Sequence, residues 1–426
     1  MDRFRTLETG KNIGRIKIVK FTTSIRHAGA AAAVAGLAVI GLTAYAQAQA
    51  PQPLKIGVME GFSGVYGDLT LGGVEAAQMA VDDFGGKVLG RPIEIVSADH
   101  QTKPDVGAAI ARKWYDVDGV KMITGLGTSS VALAVRKISQ EKGMIDIVTG
   151  AATADLTGPA CSETGAHWVY DTYSLAKVTG SAIVKGGGDS WYFLTADYAF
   201  GHALERDVTA IVNASGGKVV GGIRHPLSTQ DFSSFLLQAQ ASKAKIIGLA
   251  NAGQDTINSI KQAGEFGIVK GGQRLAGLLV FSTDVVALTL PVAQGLVLTE
   301  AFYWDLNDET RAWTKRFRAK RDKIPSMLTA GTYSSTLHYL KAVQAAGTDD
   351  PKAVMAKMRE MPINDVMTKN GKLREDGRVE RDMYLFQVKA PSESKSKDDI
   401  YKLLATVPGN EAYRPLKDGK CPFVKN

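Results

Sequence analysis

Apolar and polar positions alternate between two periods along most of the chain. Short apolar runs of strand length lead into longer stretches in which apolar positions recur every three or four residues. The first run, over 54–59, ends at Gly61 and precedes a helical pattern over 71–84. Strand-like runs over 93–97, 120–124 and 145–149 then alternate with helical stretches over 105–115 and 130–142. Strand, turn and helix repeated in this way predict βαβ units, hence a parallel sheet covered by helices. A second series begins after Trp168-Val169-Tyr170. Helices over 175–185, 201–214, 232–241 and 256–266 alternate with strands over 190–195, 218–223, 245–250, 275–281 and 295–300. Helices over 308–322, 332–346 and 351–359 follow. Two series predict two α/β lobes, since a single core rarely needs so many units. No Pro- or Ser-rich linker stands near residue 172, which predicts closely coupled lobes with several crossings between them. The one polar low-complexity stretch, 392–399, reads as a surface loop.

The first 50 residues break the pattern. Arg3, Arg5, Lys11, Arg15, Lys17, Lys20 and Arg26 precede an apolar run over 28–44, and Ala44-Tyr-Ala-Gln-Ala-Gln-Ala50 offers overlapping small-residue cleavage sites. That order predicts a secretory signal peptide over 1–50, cut after Ala46, Ala48 or Ala50. An uncleaved anchor is the alternative, although the apolar run is short and rich in Ala and Gly. No cysteine stands near the cleavage region to carry a lipid, so the expected product is released into the periplasm. Of 51 basic and 43 acidic residues, 7 and 2 fall in the leader, which leaves a mature chain close to neutrality. The densest remaining basic cluster, 315–323, reads as a solvated helix face, and nucleic-acid binding is not expected. Cys161 and Cys421 are the only cysteines, and in an oxidising compartment they are expected to form a disulfide, with two free thiols as the alternative.

Candidate chemistry gathers at strand ends, where open α/β sheets bind ligands. Three such ends are rich in glycine and hydroxyl residues: Gly61-Phe-Ser-Gly-Val-Tyr-Gly67, Gly125-Leu-Gly-Thr-Ser-Ser130 and Thr149-Gly-Ala-Ala-Thr153. Their glycines let backbone approach a ligand, and the helix after Thr128 presents free N–H groups and a positive dipole end. Thr128, Ser129 and Thr153 add hydroxyl donors, an arrangement suited to a carboxylate. Ordinary helix capping by Ser and Thr is the competing explanation. Enzyme motifs fail on inspection. The Gly125 segment lacks the last glycine of a dinucleotide fingerprint, and neither a P-loop nor a G-x-S-x-G elbow occurs. The six histidines form no metal-binding pattern, and no convergent catalytic set is visible. No enzyme activity and no cofactor are expected.

These segments, with Gly73-Val-Glu-Ala-Ala77, Asp197-Tyr-Ala-Phe-Gly201, Asp231-Phe-Ser-Ser-Phe235 and Tyr333-Ser-Ser-Thr-Leu-His-Tyr339, carry a resemblance across most of 54–390. The chain resembles the branched-chain amino-acid-binding class of periplasmic solute-binding proteins. The resemblance implies a type I periplasmic-binding fold: two doubly wound parallel-sheet lobes joined by three crossovers, with lobe 1 formed by 51–172 and 301–365 and lobe 2 by 173–300 and 366–426. It implies that Thr128, Ala151 and Thr153 hold the carboxylate and amino group of the ligand, and that Tyr66 and Phe200 line the cleft. Ser129, Tyr198, Asn251 and Phe281 complete the expected ligand site. Two departures bear on specificity. The second-lobe acid that would pair a ligand ammonium has no counterpart before Asp284, and Ala250-Asn251 stands where a tyrosine is expected. Burying an ammonium without a counter-charge is costly. The expected ligand is therefore a small carboxylate, chiefly an aromatic acid, with a branched-chain amino acid or amide as the alternative. The implied partners are an inner-membrane ABC permease and ATPase, with the protein a monomer. A sensor docking on a receptor is the rival reading.

Overall fold

Apolar runs fully covered on both faces become the central strands of the molecule, and the computed structural model describes residues 51–425. The leader expectation over 1–50 lies outside the described residues. In chain order the first layer holds β1 (Leu54–Glu60), the short helix α1 (Gly67–Thr70), α2 (Gly73–Phe84), β2 (Lys87–Val88), β3 (Arg91–Asp99) and α3 (Pro104–Lys113). β4 (Val120–Gly125), α4 (Ser129–Lys142), β5 (Ile145–Val148) and β6 (Gly165–His167) complete it. The sheet order is β2-β3-β1-β4-β5-β6, parallel except for the β2–β3 hairpin. Leu54, Ile56, Val58 and Met59 on β1 are wholly buried, as a strand between two helical layers requires.

A second series follows: α5 (Thr172–Leu175), α6 (Ser181–Lys185), β7 (Ser190–Ala196), α7 (Ala199–Ala214), β8 (Lys218–His225), α8 (Ser233–Ala241), β9 (Ile246–Ala250), α9 (Gln254–Glu265) and β10 (Arg274–Gly277). Its four strands form a parallel sheet in the order β10-β9-β7-β8. After α10 (Ser282–Leu288), α11 (Leu290–Ala293) and β11 (Val297–Glu300), the chain returns to the first sheet through α12 (Asp308–Lys320), α13 (Met327–Ala346) and α14 (Pro351–Glu360). There α13 packs on α2. A small hairpin, β12 (Lys372–Leu373) with β13 (Val379–Glu380), precedes β14 (Met383–Val388) and β15 (Tyr401–Val407). Two lobes of parallel α/β architecture are thus present, as expected.

Three local expectations are corrected. The strand expected over 275–281 ends at Gly277, because the chain folds back so tightly that a Cβ there would meet Val280 Cγ2 at 2.5 Å. The strand expected over 295–300 does not extend the parallel series. It pairs antiparallel with β14, itself paired with β15, in a third sheet of order β11-β14-β15. The basic cluster over 315–323 is more than a solvated face. Arg316 pairs with Asp83, Lys320 with Asp82 at 3.5 Å and Arg321 with Glu75 at 3.0 Å, so α12 is tied electrostatically to α2. Cys161 and Cys421 are joined by a disulfide, Cα atoms 5.7 Å apart, which fastens the C-terminal segment to the loop beyond the 3-10 turn Ala154–Thr157.

Candidate functional site

Strands of both parallel sheets end at one narrow cavity, with a volume of about 20 Å³. From the first sheet's side it is lined by Tyr66, Leu69, Thr70, Gly127, Ser129, Gly150, Ala152 and Leu328; from the second by Tyr198, Phe200, Ala252, Leu279 and Phe281. Tyr170, from the segment between the sheets, completes the wall. Glycine makes the close approach possible. A Cβ on Gly150 would stand 2.6 Å from Gly127 Cα, so the loops after β4 and β5 touch only because both residues lack side chains. The rings pack edge to face or tilted, with centroids 6.2 Å apart for Tyr170 and Phe281 and 5.9 Å for Tyr198 and Phe200.

Two contacts bridge the sides of the cleft. The Tyr66 and Tyr198 hydroxyls lie 2.5 Å apart, one donating to the other across the cavity. Beside them Gly253 lies at φ +59°, where a Cβ would meet Val65 O at 2.7 Å, and the Gln254 N–H donates to Val65 O at 3.4 Å. The Tyr170 hydroxyl donates to Gly150 O at 2.6 Å and so fixes its ring against the first sheet's loop.

No lysine, arginine or histidine lines the cavity among the described residues. Carboxyl groups surround it instead. Glu60, at the end of β1, is buried, and its Oε2 accepts the Gly127 N–H at 3.1 Å. Burial pushes its pKa well above the usual carboxylate range, against the lowering effect of that hydrogen bond. Asp284 accepts the Phe281 N–H at 3.0 Å and is pushed up to about 7 by burial. Glu300 accepts the Ser282 N–H at 3.0 Å and is likewise raised by burial. The Tyr170 hydroxyl is raised first by burial, then by the neighbouring Tyr66, Glu300, Glu60 and Asp284.

Of the residues expected at the ligand site, the structure brings Tyr66, Ser129, Tyr198, Phe200 and Phe281 to the cavity wall. The other four stand behind it. Thr128 caps α4 in extended backbone, and its buried Oγ1 has no partner among the described residues. Thr153 Oγ1 accepts the Asp155 N–H at 3.4 Å, and its own N–H donates to Ser129 Oγ at 3.2 Å. The Ala151 carbonyl is engaged by His167 Nε2 at 2.8 Å, and Ala152 lines the wall in its place. Asn251 accepts the Thr256 hydroxyl at 2.7 Å and lies 3.2 Å from His225 Nε2, while Ala252 faces the cavity. Sequence reasoning missed Glu60, Thr70 and Tyr170. An acid ending an otherwise apolar strand, beside a glycine-rich loop, was the available signal for Glu60. Among the described residues no cluster of three or more His, Cys, Asp or Glu side chains could hold a metal, and no helix is long and apolar enough to cross a membrane.

Two parallel α/β lobes with a cavity at their strand ends define a two-lobed solute-binding architecture. The chain belongs to the periplasmic binding protein family, whose model matches residues 53–397. A periplasmic binding protein from Burkholderia mallei is 51% identical and superposes with a TM-score of 0.86, covering 88% of this chain and 100% of its own. A branched chain amino acid ABC transporter periplasmic ligand-binding protein from Burkholderia xenovorans LB400 is 40% identical with a TM-score of 0.79, covering 87% of this chain and 99% of its own. The Leu/Ile/Val-binding protein homolog 1 of Brucella melitensis is 25% identical over 334 residues, 76% of this chain and 87% of that protein.

Proposed function

We propose that this protein is the exported substrate-binding component of an ABC importer, closing lobes 51–172 with 301–365 and 173–300 with 366–426 on a small carboxylate with a ring-sized apolar body. The observation that carries this reading is a cavity lined from both sheets by Tyr66, Tyr170, Tyr198, Phe200 and Phe281. A ligand touching both sides stabilises the closed arrangement, which is the form presented to a permease and its ATPase. The carboxylate lies at the N-terminus of α4, where Ser129 and the unpaired N–H groups of the first turn favour negative charge. The five rings hold an aromatic acid by shape and apolar contact. A branched-chain amino acid is the second reading, favoured by the buried carboxyl of Glu60 and by the name of the Burkholderia xenovorans relative. Removal of residues 1–50 during export completes the mature protein.

A thermal-shift screen of aromatic acids against aliphatic amino acids tests the reading. A ligand at a hundred times its Kd adds about 2.7 kcal/mol of stability, a readily measured rise in Tm. Absence of any shift across both classes overturns it.

A further inference from the structure

We infer that the base of the second parallel sheet carries a further ligand site, a groove that takes a carboxylate with an unbranched apolar tail. The site is separate from the cleft between the sheets. A groove of about 880 Å³ opens where Ile246 begins β9, Arg274 begins β10 and Val297 begins β11, with the last turns of α9 and the short α11 beside it. The cleft meets the same sheet at the opposite ends of its strands, beyond Ala250 and Gly277. The extended chain from Ile246 to Ala252 places the two sites roughly 20 Å apart. The groove's volume falls in the range of small-molecule sites, roughly 300–1,000 Å³.

Its lining is unlike an ordinary solvated surface. Ile246, Ile260 and Leu296 are buried in the floor, and Leu275 and Val297 are half-buried beside them. Val269 and Val292 are 53% and 46% exposed, an arrangement that is unfavourable until something apolar covers it. Lys261, Lys270 and Arg274 complete the lining, exposed and without an ion-pair partner among the described residues. The neighbouring Lys245, outside the groove, is paired with Asp189 at 2.9 Å. Glu265 is the single acid of the lining, so the groove is net positive.

Apolar floor and cationic rim together specify the occupant. A neutral apolar molecule leaves the cations unused, and a cationic amphiphile meets like charge. A carboxylate on an apolar tail satisfies both surfaces. The guanidinium of Arg274 and the ammonium groups of Lys261 and Lys270 donate charge-assisted hydrogen bonds to the head group, while the tail lies over Ile260 and Leu296. Because the apolar residues line a concavity, a single molecule enters; insertion into a lipid surface would require them to project outward. A mere packing gap would show no preference for the sign of the head group.

Calorimetric titration of the full mature chain with decanoate, decanol and decyltrimethylammonium, each below its micelle-forming concentration, tests the site, and hydrogen exchange locates it. Decanoate is expected to bind with a Kd below about 1 mM, roughly tenfold or more tighter than decanol and tighter still than the cation. Amide protection should rise over 260–275 and 291–297. Combining Lys270→Glu with Arg274→Glu should weaken decanoate by roughly tenfold or more and leave decanol within about twofold. Both side chains are exposed, so an unchanged melting temperature is expected and shows an intact fold. Val292→Trp, which fills the groove, should weaken both compounds. Failure of decanoate to bind, equal affinity for the three head groups, protection confined to 126–130 and 198–200 at the cleft, or charge reversal without effect overturns the site.

Discussion

The hydroxyl pair of Tyr66 and Tyr198 spans the cleft at 2.5 Å, so each ring is both wall and fastener. Tyr198→Phe keeps the ring and removes the bridge, leaving a buried Tyr66 hydroxyl without its partner. The expected cost is about 1 kcal/mol, or roughly five- to tenfold in affinity, expressed mainly as faster ligand release in stopped-flow measurements. Thr153 and Ser129 separate capping from binding. Thr153 Oγ1 is spent on the Asp155 N–H, so Thr153→Ala should lower stability by about 0.5–2 kcal/mol and leave affinity nearly unchanged. Ser129 lines the cavity while its Oγ accepts the Thr153 N–H, and Ser129→Ala should weaken a carboxylate ligand by roughly tenfold or more, read by calorimetry. Ala151 and Asn251 show why site residues are hard to place from sequence. In each case the adjacent residue, Ala152 or Ala252, faces the cavity, and a shift of one position along extended chain turns a side chain to the opposite side.

At the scale of elements, α4 is held to β5 by a buried ion pair. Arg136 Nε donates to Asp146 at 2.7 Å, and its other nitrogens donate to Leu156 O and Ala166 O at 2.8 and 3.1 Å. Arg136→Met strands the Asp146 carboxylate and two carbonyls in the core, and should cost about 3–5 kcal/mol, seen as a lowered urea midpoint. This pair escaped sequence reading because nothing in a periodic pattern marks which charged position turns inward. The parallel elements were legible because their period and their glycine turns are local properties: β1, β4, β7 and β9 lie within a residue or two of expectation. The antiparallel sheet β11-β14-β15 was not, because pairing between positions as remote as Val297 and Gln387 depends on tertiary contact rather than on local alternation. The start of α13 at Met327 was likewise hidden, since Ser326 caps it inside a run that has no clear helical stripe.

The molecule as a whole carries buried acids that link its stability to pH. Asp255 is raised to about 6 and Asp284 to about 7 by burial, from 3.8. The folded chain retains protons that the unfolded chain gives up, so the stability these groups contribute is full below about pH 4 and is lost as pH rises through their folded values. The melting temperature should therefore fall between about pH 4 and pH 7, and Asp284→Asn should flatten the upper part of that slope. The disulfide acts on the same scale. It closes a loop of 260 residues, and reduction should lower stability by about 2–5 kcal/mol, measurable as a drop in Tm under reductant. Pairing Cys161 with a partner so remote has a further consequence for biogenesis. At ~5–20 residues per second of synthesis, the first thiol waits tens of seconds for the second. Yet a chain with two cysteines admits one intramolecular connectivity, so there is nothing to reshuffle: an oxidant suffices, and an isomerase has no error within the chain to repair.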